Sequence, residues 1–181
     1  MEILVTKRLT LRPPLEVDAE GIADALSNFN VSRMLASVPH PYSLEDAKAF
    51  IAEKVQNPEP CLYTVHSNRL IGSVDVYDRA NGPILGYWFA EGAWGNGYAT
   101  EAVRAVLARA FRYFDCDIIR SQAFCDNDAS LNVMDKLGFE QTGTGTNFNK
   151  ARNEELPDVQ TELQRSTFER RFGPLERPQA A

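Results

Sequence analysis

The chain has 181 residues, 44% of them hydrophobic, and a formal charge of −6 at pH 7, which is most simply one globular domain over residues 1–181. An acidic balance gives no support for nucleic-acid binding, and neither a basic region before a short apolar stretch nor a run of ~20 apolar residues indicates export or membrane insertion. Three cysteines without C-x-x-C spacing (Cys61, Cys116, Cys125) fit reduced thiols in a cytoplasm better than a disulfide frame, and the two histidines, His40 and His66, lack partners for a zinc site, so no metal is expected.

In chain order, Ile3 to Leu11 alternates enough for a first strand, which Pro13-Pro14 ends. Glu16-Val17-Asp18 is an acidic start to a helix through about Leu26. After the loop Val38-Pro39-His40-Pro41-Tyr42, Ser43 is the N-cap of a second helix running to about Val55, with Asp46 at the capping-box position. Leu62 to Val65, Leu70 to Tyr77 and Ile84 to Phe89 read as three strands of an antiparallel meander. A glycine-spaced turn, Trp94-Gly95-Asn96-Gly97, leads into a helix whose Ala99, Ala102, Val103, Val106, Leu107, Ala110, Phe111 and Phe114 form one apolar face. A strand from Asp117 to Cys125 follows, then a shorter helix from about Ser130 to Leu137 ended by Gly138 as its C′ glycine. The polar stretch Thr142 to Pro157 reads as loop and strand margin, Val159 to Gln164 as a last strand, and Gly173 to Ala181 as a loose tail. Strands around a helical crossover make an α/β mixed sheet.

The glycine turn carries the most chemistry. Glycine lets backbone N–H groups approach a ligand, and the first turn of a helix holds unpaired donors and roughly +0.5 of a charge, a combination suited to phosphate. The plain alternative is that Gly95 and Gly97 only make a tight connection. The dinucleotide fingerprint fails because Thr100 stands at its last glycine, and no GK[S/T] is present for a P-loop.

The pattern [Q/R]-x-x-G-x-[G/A] does fit, with Gly97-Tyr98-Ala99 at its end and Trp94 in place of the usual Gln or Arg. With Leu85-Gly86-Tyr87-Trp88-Phe89 before it, then Asn127-Asp128-Ala129-Ser130 and Lys136-Leu137-Gly138-Phe139 in order, the chain resembles the GNAT acetyltransferase superfamily. Thr6-Lys7-Arg8-Leu9-Thr10-Leu11-Arg12 resembles the first strand of its RimJ/RimL-like branch, the ribosomal-protein N-terminal acetyltransferases. The resemblance spans about residues 6–170. It implies a mixed, largely antiparallel sheet with helices on both faces, acetyl-CoA as co-substrate, and transfer to an amine, either a protein N-terminus or a small molecule. It leaves open the acceptor and whether the protein forms a homodimer.

On this resemblance the amides of Gly95, Asn96, Gly97, Tyr98, Ala99 and Thr100 face the pyrophosphate, and the main chains of Tyr87 and Phe89 flank the pantetheine arm, although their side chains also suit an ordinary core. Asn127 is implied as a pantetheine contact and Ser130 as the donor that protonates the leaving thiolate, with simple helix capping as the alternative for both. A thiol pKa of about 8.5 leaves such a donor only a modest factor to supply, on the order of 10². For the base, strand parity puts Asp75 with Ile71, Ser73 and Tyr77, opposite Gly72, Val74 and Val76, toward a cleft or toward solvent. Asp78, Glu91, Asp126 and water are alternatives. Neutralising an α-amine of pKa ~8 at pH 7 costs about 1.4 kcal/mol against about 4.6 for a lysine amine, so a weak base suits an amine of low pKa. No signature links either histidine to a cysteine, which favours direct attack over a covalent enzyme intermediate. The competing functions are a CoA-binding regulatory module without catalysis and a dinucleotide-dependent oxidoreductase, the second opposed by Thr100 and by the preceding meander.

Overall fold

The computed structural model describes residues 2–175, and of the expected C-terminal tail residues 176–181 lie outside that range. A single eight-stranded sheet in the order β1-β2-β3-β4-β5-β6-β8-β7 organises the chain. Its strands are β1 (Leu4–Val5), β2 (Thr10–Arg12), β3 (Leu62–His66), β4 (Leu70–Tyr77), β5 (Ile84–Phe89), β6 (Ile118–Phe124), β7 (Glu140–Asn149) and β8 (Glu154–Gln164). The helices are α1 (Ala19–Ser27), α2 (Phe29–Ser32), α3 (Leu44–Gln56), α4 (Tyr98–Phe114), α5 (Asp128–Leu137) and α6 (Arg165–Phe172). Every strand pair is antiparallel except β5 with β6, which the α4 crossover makes parallel. No helix among the described residues is long and apolar enough to cross a membrane.

Two apolar layers cover the sheet. Ala102, Val103, Val106, Leu107, Ala110 and Phe111 of α4 are fully buried against Leu11, Tyr63, Val65, Val74, Val76, Leu85, Ile119 and Leu163. At about 1.5–3 kcal/mol for each large apolar side chain removed from water, this interface holds the glycine turn ahead of α4 in a fixed place. On the opposite face, Ala19, Ile22, Leu26, Val31, Ala47 and Ile51 of α1 to α3 form a second cluster against which Trp88 packs. The capping box at α3 forms as expected, with the Ser43 Oγ accepting from the Asp46 amide at 3.1 Å and the Asp46 carboxylate accepting from the Ser43 amide at 2.8 Å.

Three expectations are corrected. The stretch Ile3 to Leu11 is not one strand: β1 and β2 pair with each other, Leu4 opposite Leu11, around a turn in which the Leu9 amide donates to the Thr6 Oγ1 at 3.1 Å. Residues 142–157 are not loop but most of the β7–β8 hairpin, whose inward positions are Gly143, Gly145, Asn147 and Asn149 and so lack the apolar alternation that marks a strand. Its turn uses Asn153 at φ 54°. The first helical segment opens as a 3₁₀ turn over Glu16–Asp18 before α1, and α2 and α6 are additional helices. Gly138 ends α5 at φ 96°, as a C′ glycine does.

Candidate active site

The parallel pairing of β5 with β6 is confined to Ile84 with Arg120 and Leu85 with Ser121. Beyond Leu85 the strands part, while β5 stays paired to β4 as far as Phe89 and β6 to β8 as far as Phe124. The direction of the main chain along the gap follows from two bonds. The Ala90 amide donates to Ile71 on the β4 side, and the Pro83 carbonyl accepts from the Arg120 amide on the β6 side. Peptide groups alternate along a strand, so those of Tyr87 and Phe89 point into the gap, where an extended ligand can add to the sheet edge. The Phe89 carbonyl is already taken by the Trp94 indole Nε1 at 2.8 Å. Position 94 therefore holds the end of β5.

Just past β5, Glu91–Ala93 forms a 3₁₀ turn, and Gly95 and Gly97 both adopt φ 76°, the left-handed conformation glycine enters without a Cβ penalty. Gly97 is the N-cap residue of α4 and offers no side-chain cap, which leaves the first amides of the helix to a ligand. Glu101 in that first turn would repel a phosphate, yet its carboxylate is turned aside. It accepts from the Thr6 hydroxyl at 2.6 Å, the Arg8 amide at 3.0 Å and the Arg8 Nε at 2.7 Å, contacts that hold its pKa below the ordinary range against the opposing effect of burial. Arg8 also donates through Nη1 to the Asn96 carbonyl at 2.9 Å and lies 4.6 Å over the Tyr98 ring. Its Nη2 is 3.5 Å from the point a Cβ on Gly97 would occupy. Arg8 was not among the residues expected to bind, because the turn that swings it over the loop has no glycine or proline to signal it.

Asn127 and Ser130 divide the two roles the sequence left open. Asn127 caps α5, its Oδ1 accepting from the Ser130 amide at 3.1 Å. The Ser130 hydroxyl does not cap and instead shares a 2.7 Å hydrogen bond with the Tyr87 hydroxyl, which also lies 3.1 Å from the Ser130 carbonyl. The expected contribution of Tyr87 was its main chain, so this side-chain contact is an addition. Burial pushes the Tyr87 phenol up to about 12, against a smaller lowering by Ser130. It is a proton donor at neutral pH.

Asp75 sits on the other face of the sheet. Its neighbours in register are Leu62 and Gly86, and a Cβ on Gly86 would come within 2.8 Å of its Oδ1, so the carboxylate lies over Gly86 where β5 leaves β6. Asp75 is half-buried, between the two readings of its parity. Burial raises its pKa to about 7, helped by the Glu59 charge and opposed by Lys54. The other carboxylates are less free. Glu91 accepts from the Asn28 and Asn30 side chains at 2.6 and 2.9 Å, and Asp126 pairs with Arg152 and Arg33 at 2.7 and 3.1 Å, with Arg152 foremost in holding its pKa down. Asp78 follows β4 at the end remote from the glycine turn. His40 packs at 5.0 Å on the Phe29 ring.

The family model for the acetyltransferase (GNAT) domain matches residues 8–140, well over half of the chain. The chain belongs to the GNAT acetyltransferase family. It is accordingly an acyltransferase, in a family that uses acetyl-CoA. It is 28% identical over 149 residues to an uncharacterized N-acetyltransferase, YoaA, of Bacillus subtilis (strain 168), covering 78% of this chain and 84% of that relative. Mycobacterium smegmatis RimJ, solved in complex with CoA-disulfide, superposes with a TM-score of 0.75 at 14% identity over 87% of this chain and 82% of its own. A Vibrio cholerae spermidine N-acetyltransferase in complex with CoA and spermine superposes at 0.75 and 18% identity over 90% of this chain and 99% of its own. At these identities the GNAT fold is what the two structures share with this chain.

Proposed function

We propose that this chain moves the acetyl group of acetyl-CoA to a primary amine, the α-amine of a protein N-terminus or the amine of a small molecule, by direct attack in the gap between β5 and β6. The observation that carries this reading is the gap itself, with opposite chemistries on its two sides. Toward α4 and α5 stands the Tyr87–Ser130 hydroxyl pair; toward α1 and α3 stands the Asp75 carboxylate. The amides from Gly95 to Thr100 take the pyrophosphate, with Arg8 beside them, and the gap-facing peptide groups of Tyr87 and Phe89, together with the free Asn127 amide nitrogen, hold the pantetheine.

Asp75, poised near neutrality, accepts the proton that the amine nitrogen loses as it bonds to the thioester carbon. When the C–S bond breaks, Ser130 donates its hydroxyl proton to the departing thiolate and recovers one from Tyr87, whose phenol is replenished from solvent. A base of this strength neutralises an α-amine more readily than a lysine amine. Free thiols and an acetyl-CoA donor suit the cytoplasm. The test is incubation with acetyl-CoA and a panel of peptides and small amines, read as free thiol. Amine-dependent release supports the reading; CoA binding without release for any amine would make the chain a binding module instead.

A further inference from the structure

Asp158 on β8 is only 3% exposed, and its Oδ1 is buried with no hydrogen-bond partner. No ion pair reaches it among the described residues, and its pKa is raised by burial against a single lowering influence, the Gly145 amide. A carboxylate withdrawn from water without a cation is costly, and side chains in that state are ordinarily paired.

Its position ties it to the gap. Val159 and Thr161 are on the α4–α5 face, since Val159 is in register with Ala123 of the core cluster and the Thr161 hydroxyl lies 3.3 Å from the Met134 Sδ. Asp158 and Gln160 therefore share the other face with Asp75, Gln122 and Phe124. Asp158 is in register with Phe124 on the bank of the gap and with Gly145 on β7, where a Cβ would come within 2.9 Å of the Asp158 Oδ1 and 2.7 Å of the Gln160 Nε2. Gly145 thus leaves room for both side chains. Gln122 and Gln160 on this face are exposed, and Asp158 is its buried member beside Phe124. The segment Arg33 to Ala36 is bound to the hairpin by Asn149 Nδ2 to the Arg33 carbonyl at 2.9 Å and by the Lys150 amide to Ala36 at 3.0 Å.

We propose that Asp158 is the specificity site for a second cationic group on the acceptor, so that the preferred substrate is a primary amine carrying another ammonium or guanidinium group. This rests on the acetyltransferase reading of the gap. One interstrand step of ~4.8 Å from β6 to β8, two residues of ~3.3 Å along β6 and the opened gap between β5 and β6 separate Gly86 from Asp158, which sets the two nitrogens at least on the order of 10 Å apart before side chains close the distance. A free diamine and a peptide with a basic residue next to its N-terminus both supply that chemistry.

Calorimetric titration of the CoA-loaded protein with 1,6-diaminohexane and with n-hexylamine tests this without turnover. The diamine is expected to bind at least about ten-fold more tightly, and Asp158→Asn to bring the two within about three-fold of each other. Folding of the variant is verified by its thermal transition with CoA. Equal affinities in the natural protein, or an undiminished preference in Asp158→Asn, would overturn the assignment. Peptides beginning Ala-Lys and Ala-Leu, compared in the same titration, separate the two sources: a lysine preference larger than the diamine's identifies a peptide acceptor, and the reverse a free diamine. The acetyltransferase reading fails separately, as the absence of thiol release with every amine, and leaves these titrations readable.

Discussion

Asn127 and Ser130 were equally good as caps or as contacts from sequence, because both residue types accept backbone N–H groups and both stand near a helix start. Side-chain geometry separates them, and a hydroxyl's partner across 43 residues has no local sequence signal. Ser130→Ala is expected to lower kcat by on the order of 10²-fold with little change in the acetyl-CoA KM and no loss of thermal stability, since the cap is Asn127's. A fall in Tm with activity per folded molecule intact would return Ser130 to a structural role. Asp75 gives a prediction with opposite signs for activity and stability. Its native pKa near 7 lies above the unfolded value near 4, so the native state holds the proton more tightly. Asp75 then costs the fold nothing below pH 4, progressively more as pH rises, and its full burden above 7, a few kcal/mol at most by the shift. Asp75→Asn should therefore raise Tm more at pH 8 than at pH 4, measured by thermal melts, while its loss of kcat/KM is greatest near neutral pH, where Asp75 is ionised and an acceptor amine of pKa ~8 is still mostly protonated, and shrinks above the amine's own pKa. A mutant to wild-type ratio that stays flat with pH would remove Asp75 as the base.

α4 was legible from its one apolar face, α3 from the Ser43–Asp46 capping box, and the β3–β4–β5 meander from its apolar runs. The β7–β8 hairpin was not, because glycine and asparagine fill its inward positions; there the small side chains serve Asp158 and Gln160, and the amides tie down the segment at Arg33. The β1–β2 turn was hidden for a different reason: Lys7 and Arg8 interrupt the alternation, but no glycine or proline marks the turn they form. That turn decides the electrostatics of α4, since Thr6 and Arg8 neutralise Glu101 where phosphate would sit. Arg8→Ala is expected to weaken CoA binding about ten-fold at low salt and by less at high salt, as removal of an exposed cation beside an anion should. Titration of CoA at two salt concentrations measures it; an affinity unchanged at low salt would leave Arg8 as a strut for the loop alone.

Across the described residues, two apolar layers fix a sheet that is continuous at Leu85 and open beyond it, and main-chain groups, the uncapped start of α4, a hydroxyl pair and the half-buried Asp75 carboxylate border the opening. The ordered motifs made the strand, turn and helix that carry the proposed cofactor contacts legible in the sequence. The acceptor side was not, because it is assembled from strand faces, a helix end and the hairpin, none contiguous in the chain. The central claim is that the Gly95 to Thr100 turn receives the phosphates of CoA, and Gly97→Glu tests it most directly. At φ 76° a Cβ is strained, and the new carboxylate enters within reach of Arg8 where phosphate would bind. Calorimetric titration of the folded variant with CoA is predicted to show affinity reduced by two orders of magnitude or more, on the order of 10². CoA affinity equal to that of the natural protein, in a variant whose circular dichroism and thermal transition match it, would contradict the account.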